Sequence, residues 1–242
     1  PLQSAPDGAW HALGRAVIRS PSTTLPLGPA TVHVREFGEP ALVVDGLAVR
    51  PKIRKSLEVV AFLLSSRNTT ARRSEILTAL WNGRDDEATR AYLRQAVKHL
   101  REALPEGAAI VTEGDTLSLV GAFTSETAEF ETLCAAAAGT DGPARRALLF
   151  DALEIGRRGL FLEGSRNVDW VDERRTRIAA WLIGARLDAA DTLTDENRLL
   201  DALELVDEVL EHDPLVERAW RVRMRALGML GDSDGVLDAF RE

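Results

Sequence analysis

Between residues 32 and 120 the spacing of apolar positions changes twice. From 32 to 50 it follows the two-residue period of a strand, in "VHVREF", "ALVV" and "LAVR". These runs are short, rich in β-branched residues and separated by "GEP" and "DG", as strands of a small antiparallel sheet are. Asp45-Gly46 fits a two-residue hairpin turn, since glycine accepts positive φ at no steric cost. The period then lengthens to that of a helix. One helix is predicted over about 53–66, with Leu57, Val60, Ala61 and Leu64 as its apolar stripe. A second is predicted over about 73–81, with Ser74 as N-cap and Ile76, Leu77, Leu80 and Trp81 turned inward. A third spans 87–104, where Leu93, Val97, Leu100 and Leu104 follow i, i+4, i+7, i+11. Pro105 and Gly107 stop it. "AIVTEGDTLSLV" then returns to strand period on either side of Gly114-Asp115, a second hairpin. Sheet, three helices and hairpin, in that order, predict a winged helix-turn-helix over 32–121.

From 125 onward every apolar pattern is helical: about 126–138, 143–158, 168–193, 197–211, 215–230 and 234 to the end. "LLDALELV" at 199–206 is echoed by "GVLDAFRE" at 235–242, a spacing of 36 residues that is close to a tetratricopeptide period. Pro214 falls at the turn between paired helices and Gly231 at the end of the second. The fold class is therefore mainly α with a small β part: a winged helix, then an all-α tetratricopeptide-like domain over 125–242. Residues 1–31, with "SPSTTLPLGPA", read as a linker or the tail of a preceding region. Within them 9–19 fits a short helix or a strand equally well.

Charge divides the chain at the same place. The net charge is −8, but residues 32–120 hold 13 Lys+Arg against 12 Asp+Glu, and residues 121–242 hold 15 against 25. Such asymmetry points to different partners for the two parts, and only the first is suited to face a polyanion. A hydrophobic content of 45% allows a full core. No apolar run approaches the roughly 20 residues that cross a bilayer, so no membrane contact is expected from this stretch of chain. "PLQSAPDGAW" has neither the basic start nor the apolar core of a signal peptide. Without an initiating Met, the sequence reads as a piece of something longer. A single cysteine, Cys134, forms no internal disulfide and fits a reducing compartment, hence a cytoplasmic protein.

Candidate chemistry is concentrated on the third helix. Arg90, Arg94, Lys98 and Arg101 recur at steps of four, four and three and share one stripe, flanked by Gln95 and His99. A solvated face of an amphipathic helix explains such a stripe; so does a recognition helix, and the winged-helix context favours the latter. Arginine can hold guanine O6 and N7 with two bonds, and glutamine can do the same for adenine. Arg94 and Gln95, mid-helix, are the expected base contacts. Arg90 and Lys98 are expected at phosphates, which position rather than specify, and Arg101 is a further DNA-facing candidate of the stripe. Thr89 is expected to bond a phosphate near the helix start. "RPKIRK", with Lys52, Arg54 and Lys55, reads equally as a solubility patch or as backbone contacts. In "GRDDEA" the acids Asp85, Asp86 and Glu87 suit the positive end of the third helix dipole. Enzyme chemistry finds little footing. His11, His33, His99 and His212 are scattered, Cys134 has no partner residue, and no phosphate-binding glycine loop is present. No cofactor is implied. Trp170, Trp181 and Trp220 recur on helices and read as packing residues.

The motifs resemble a family. "RPKIRKSLEVVAFLL", "SEILTALW" and "ATRAYLRQAVKHLREAL" resemble the three helices of an OmpR/PhoB-type winged helix. "FETLCAAA" and "DWVDERRTRI" resemble the entry and the Trp–Arg helix of the helical partner domain. Over about 32–242 the chain resembles the bacterial transcriptional activator domain proteins, the group that includes the Streptomyces antibiotic regulatory proteins. The resemblance implies a transcription regulator, with the winged helix on double-stranded DNA repeats and the helical domain supporting homodimerisation and regulation. It also implies RNA polymerase as a partner of the loop before the third helix, here Arg84, Asp85 and Asp86. Scarce Lys and abundant Arg and Ala agree with a GC-rich bacterial source. The wing departs from the family: "TEGDTLSL" carries two acids and no cation, where the family places a cation for the minor groove. A related reading is a protein-interaction module ending a larger actinobacterial protein that is membrane- or wall-associated, with its winged helix no longer used on DNA.

Overall fold

The structure, a computed structural model, describes residues 31–241. The expected linker, apart from Thr31, and the undecided stretch 9–19 lie outside the described residues. The chain begins with β1 (Thr31–Arg35), β2 (Ala41–Val44) and β3 (Leu47–Val49), an antiparallel meander. Val32 and Val34 alternate inward and are fully buried. At the β2–β3 turn Asp45 and Gly46 both take positive φ, 51° and 80°, as a twist-matched two-residue hairpin requires.

The three helices are α1 (Lys55–Ser65), α2 (Arg73–Leu80) and α3 (Glu87–Ala103). The hairpin is β5 (Ala109–Glu113) and β6 (Thr116–Val120), paired Glu113 to Thr116 across Gly114-Asp115. Two strands were not legible in the pattern. β4 (Thr70–Arg72) joins the hairpin into a three-stranded sheet, ordered β4-β6-β5. β7 (Ala122–Ser125) runs parallel to β1 and completes the order β3-β2-β1-β7, so the first sheet reaches to Ser125. Ser74 is not an N-cap: Arg72, extended at the end of β4, occupies that position, and Ser74 lies inside the helix. The cause is β4 itself, which holds the backbone extended up to Arg72 and leaves the next residue to start the turn.

α3 stops where proline chemistry says it should. Leu104 precedes Pro105 and is extended, φ −81° and ψ 141°, because the proline ring disfavours a helical residue before it. Its buried face is Leu93, Ala96, Val97 and Leu100. Each large aliphatic side chain buried there contributes about 1.5–3 kcal/mol.

Six helices follow: α4 (Glu126–Ala138), α5 (Gly142–Gly156), α6 (Asp169–Asp195), α7 (Leu199–His212), α8 (Glu217–Leu230) and α9 (Ser233–Arg241). Each packs on the next in chain order. The two echoed sequences fall on α7 and α9, equivalent helices of successive pairs, and Gly231 ends α8 in the left-handed conformation, φ 81°. The expected fold class, winged helix then tetratricopeptide-like helices, is borne out.

One core runs through both halves. Trp170, near the start of α6, packs edge-on against Phe62 of α1 at 5.3 Å between ring centroids and against Phe161 at 5.9 Å. Glu126, fully buried at the start of α4, accepts the backbone N–H groups of Glu36 and Phe37, both at 2.8 Å, and pairs with Arg158. The Glu36 carboxylate returns the exchange by accepting the N–H of Thr127 at 2.9 Å. Burial pushes the Glu36 pKa up, opposed by its bonds to Thr127 and Ser125 and by the charge of Arg174. Gly38, at φ 68°, must be glycine, because a Cβ there would strike the Arg158 carbonyl.

Candidate nucleic-acid interface

α3 is set by its N-terminus. Asp86 is the N-cap and accepts the Thr89 N–H at 2.8 Å, while the Thr89 hydroxyl faces back onto Asp86 and the Arg84 carbonyl. Thr89, expected at a phosphate, is therefore occupied by the cap. The preceding loop is pinned from the helical half: Asn82 donates to the Asn167 carbonyl and to Asp169, and accepts the Asp169 N–H, each at 3.2 Å.

The exposed cations of α3 sit in different states. Arg90 is held by Asp85 through two bonds, Nε to Oδ1 at 2.6 Å and Nη2 to Oδ2 at 3.0 Å. This fork is closed, and it ties the loop to the helix. Arg94 reaches two turns back and gives one Nη2 bond to Glu87, at 2.7 Å; its other nitrogens have no partner among the described residues. Lys98 lies 3.9 Å from Glu102 and is largely exposed. Arg101 bonds the Ile110 carbonyl at 3.0 Å and the Thr112 hydroxyl at 2.9 Å, latching α3 to the wing. Asp85 and Glu87 are held below the usual carboxylate range, chiefly by their bonds from Arg90 and Arg94. Glu102 is lowered first by its bond with His99, then by the charges of Lys98 and Lys52.

At about 100° per residue, Gln95 lies roughly 200° from Leu93 and stands on the crest opposite the core, while Arg94 turns to the flank beside the hairpin. There the grooves along α3, of about 370 Å³ and 300 Å³, share Arg73, Leu93 and Arg94. Asp85, Arg90 and Asp115 also line the first, and Arg101, Thr112 and Leu117 the second. Arg73, the first residue of α2, was missed by the sequence pattern. Its N–H bonds the Asp115 carbonyl at 2.8 Å, and its guanidinium lies 4.0 Å from the Asp115 carboxylate. The wing turn is thus drawn onto α2 and its acid is partly offset. The only textual hint is the Arg-Arg pair of "ARRSEI".

The "RPKIRK" cluster is divided between surface and interior. Lys55 is mostly buried, bonding Glu58 at 2.5 Å and the Leu80 carbonyl at 2.9 Å, with its ammonium 4.8 Å from the Trp81 ring centroid. It holds α1 to α2 and is unavailable to a phosphate. The Arg54 guanidinium lies against Gly164 of the loop before α6, in the space a Cβ would take. Lys52, near Glu102, stays exposed, and so does Arg54. Of the loop candidates, Asp85 and Asp86 are engaged by Arg90 and the cap, leaving Arg84 exposed and without a side-chain bond among the described residues. Among the described residues no His, Cys, Asp and Glu group has the arrangement of a metal site, and no helix is long and apolar enough to cross a membrane.

The helical half carries the likeness to a known family. Residues 126–242 match the model of the bacterial transcriptional activator domain. That stretch is similar to the domain from end to end. The match begins at the first residue of α4, so Glu126, which holds the β1 end, is also where the likeness starts. The whole described architecture is similar to the solved structure of Mycobacterium tuberculosis EmbR in complex with a low-affinity phosphopeptide. The TM-score is 0.74 at 19% identity, over 88% of this chain and 58% of that one. The chain thus spans little more than half of that relative, and the likeness extends the shared fold beyond the activator domain to the winged helix. No curated protein sequence matches the chain.

Proposed function

We propose that the chain is a DNA-binding transcription regulator, an activator by the family of its helical half, acting in the cytoplasm with α3 in a major groove. In this reading residues 32–121 are the DNA-binding unit, extended to Ser125 by β7, and the activator domain carries dimerisation or signal input. The observation that carries it is the row of cations along the flank of α3, facing Arg73 of α2 and the hairpin on a winged-helix frame. Arg94 and Gln95 take base edges. Lys98 and Arg73 take phosphates, and Arg90 and Arg101 hold the frame. Arg84 is left as the polymerase-facing candidate of the loop. The test is a mobility shift of genomic fragments at low salt, with wild type retarded and Arg94→Ala weakened most on the preferred fragment. Absence of any shift at low salt refutes the reading.

A second reading has its own observation. Arg73, Arg84, Arg90, Arg94, Lys98 and Arg101 stand against as many carboxylates: Asp85, Asp86, Glu87, Glu102, Glu113 and Asp115. A face without net positive charge suits a protein-interaction module in a longer protein, and that module would show the same weak affinity for duplex DNA with or without Arg94.

A further inference from the structure

We infer that Arg94 and Glu87 act together as one reader of a G·C base pair in a fixed orientation, which makes Glu87 a specificity-determining residue. The inference rests on the DNA-binding reading above.

The two side chains are more than half exposed, 55% and 77%, and are joined by a single 2.7 Å bond, Nη2 to Oε1. That bond leaves Nε and Nη1 of Arg94 and Oε2 of Glu87 without partners among the described residues. The neighbouring pair is different in kind, because Asp85 takes both donors of the Arg90 fork. Arg90 presents no matched donor and acceptor outward. Arg94 and Glu87 do, side by side: free guanidinium donors next to a free carboxylate oxygen.

The major-groove edge of a G·C pair offers the complement. Guanine N7 and O6 accept, and the cytosine N4 amine donates. Arg94 can donate to guanine while Glu87 accepts from cytosine, with their mutual bond intact. An A·T pair in the same orientation fails at both ends, since the adenine N6 amine meets the guanidinium and thymine O4 meets the carboxylate. A reversed C·G pair fails in the same way, and a T·A pair keeps O4 for Arg94 and N6 for Glu87 but lacks the guanine N7 acceptor, which makes it the weaker fit. Glu87 would otherwise be an odd neighbour for a polyanion: an ionised carboxylate brought to DNA without a donor is left unpaired and desolvated, which is costly. Its penalty against wrong pairs is the source of discrimination.

The test is selection of bound sites from randomised duplexes by wild type and Glu87→Ala, followed by affinities for the selected site and for the same site with that G·C replaced by A·T. Glu87 is exposed, and circular dichroism verifies that the variant is folded. Wild type is expected to fix one G·C pair in one orientation and to lose on the order of tenfold or more on replacement. Glu87→Ala is expected to bind unselected DNA more tightly, having lost a negative charge, and to lose only a few-fold on the same replacement. If wild type selects a site and Glu87→Ala selects it with the same preference and the same replacement loss, the inference is overturned and DNA binding stands. If wild type enriches nothing, the DNA-binding reading itself fails.

Discussion

Replacing Glu126 with alanine tests how the two halves are joined. The carboxylate has no exposure, accepts the Glu36 and Phe37 N–H groups at 2.8 Å each, and pairs with Arg158. Hydrogen bonds to a charged group contribute about 1.5–3 kcal/mol each, and a buried donor left unsatisfied costs a similar amount. Arg158 is half exposed, 49%, so the loss of its charge partner is softened by solvent. The two orphaned N–H groups therefore dominate, and Glu126→Ala should lower stability by roughly 3–5 kcal/mol. Glu126→Gln keeps an acceptor oxygen and should lose clearly less. Urea unfolding at 25 °C, with the slope compared between variants, reads both numbers. A Glu126→Ala loss below about 1 kcal/mol would refute the claim that this carboxylate organises the β1 end and the start of α4.

Other expectations follow from the same contacts. Asp86→Ala removes the α3 N-cap and should cost about 1 kcal/mol, read by thermal unfolding. Arg101→Ala should leave the fold intact but speed hydrogen exchange at β5, since both its bonds run to Ile110 and Thr112. Asp85→Asn should release Arg90 from its closed fork and raise affinity for unselected duplex, with a salt slope steeper by about one charge. The Glu36 carboxyl is shifted upward in the folded chain, so the folded state holds its proton to higher pH than the unfolded state. As pH rises from 4.5 through the raised folded value, its contribution should decline, and the stability difference between wild type and Glu36→Gln should move in that direction.

The helices were legible because their apolar spacing is regular and their ends carry chemistry: Asp86 at the start of α3, Pro105 after its end, Gly231 after α8. The strands β4 and β7 were not, since "TAR" and "AFTS" are too short to show a period and owe their form to β6 and β1. The site was half legible. The stripe of Arg90, Arg94 and Lys98 follows from helical spacing, but spacing cannot tell a closed ion pair from an open one. Arg90 and Arg94 look alike in the text and differ only in how many bonds a carboxylate takes. Lys55 looked like a surface cation because its neighbours in sequence are polar; Trp81, Leu80 and Glu58, which enclose it, come from elsewhere in the chain or from the next turn. Arg73 became visible only when β4 and the wing turn brought α2 beside α3.

The central claim is that the open cations of α3 and α2 neutralise DNA phosphates. Fluorescence anisotropy of a labelled duplex across a salt series measures it, because log K falls with log salt in proportion to the phosphates contacted, about 0.9 per contact. A steep slope for wild type that flattens by about one contact in Arg73→Ala or Lys98→Ala, and stays nearly unchanged in Arg90→Ala, is the expected result. A slope near zero for wild type, or the same slope in all four proteins, would contradict it.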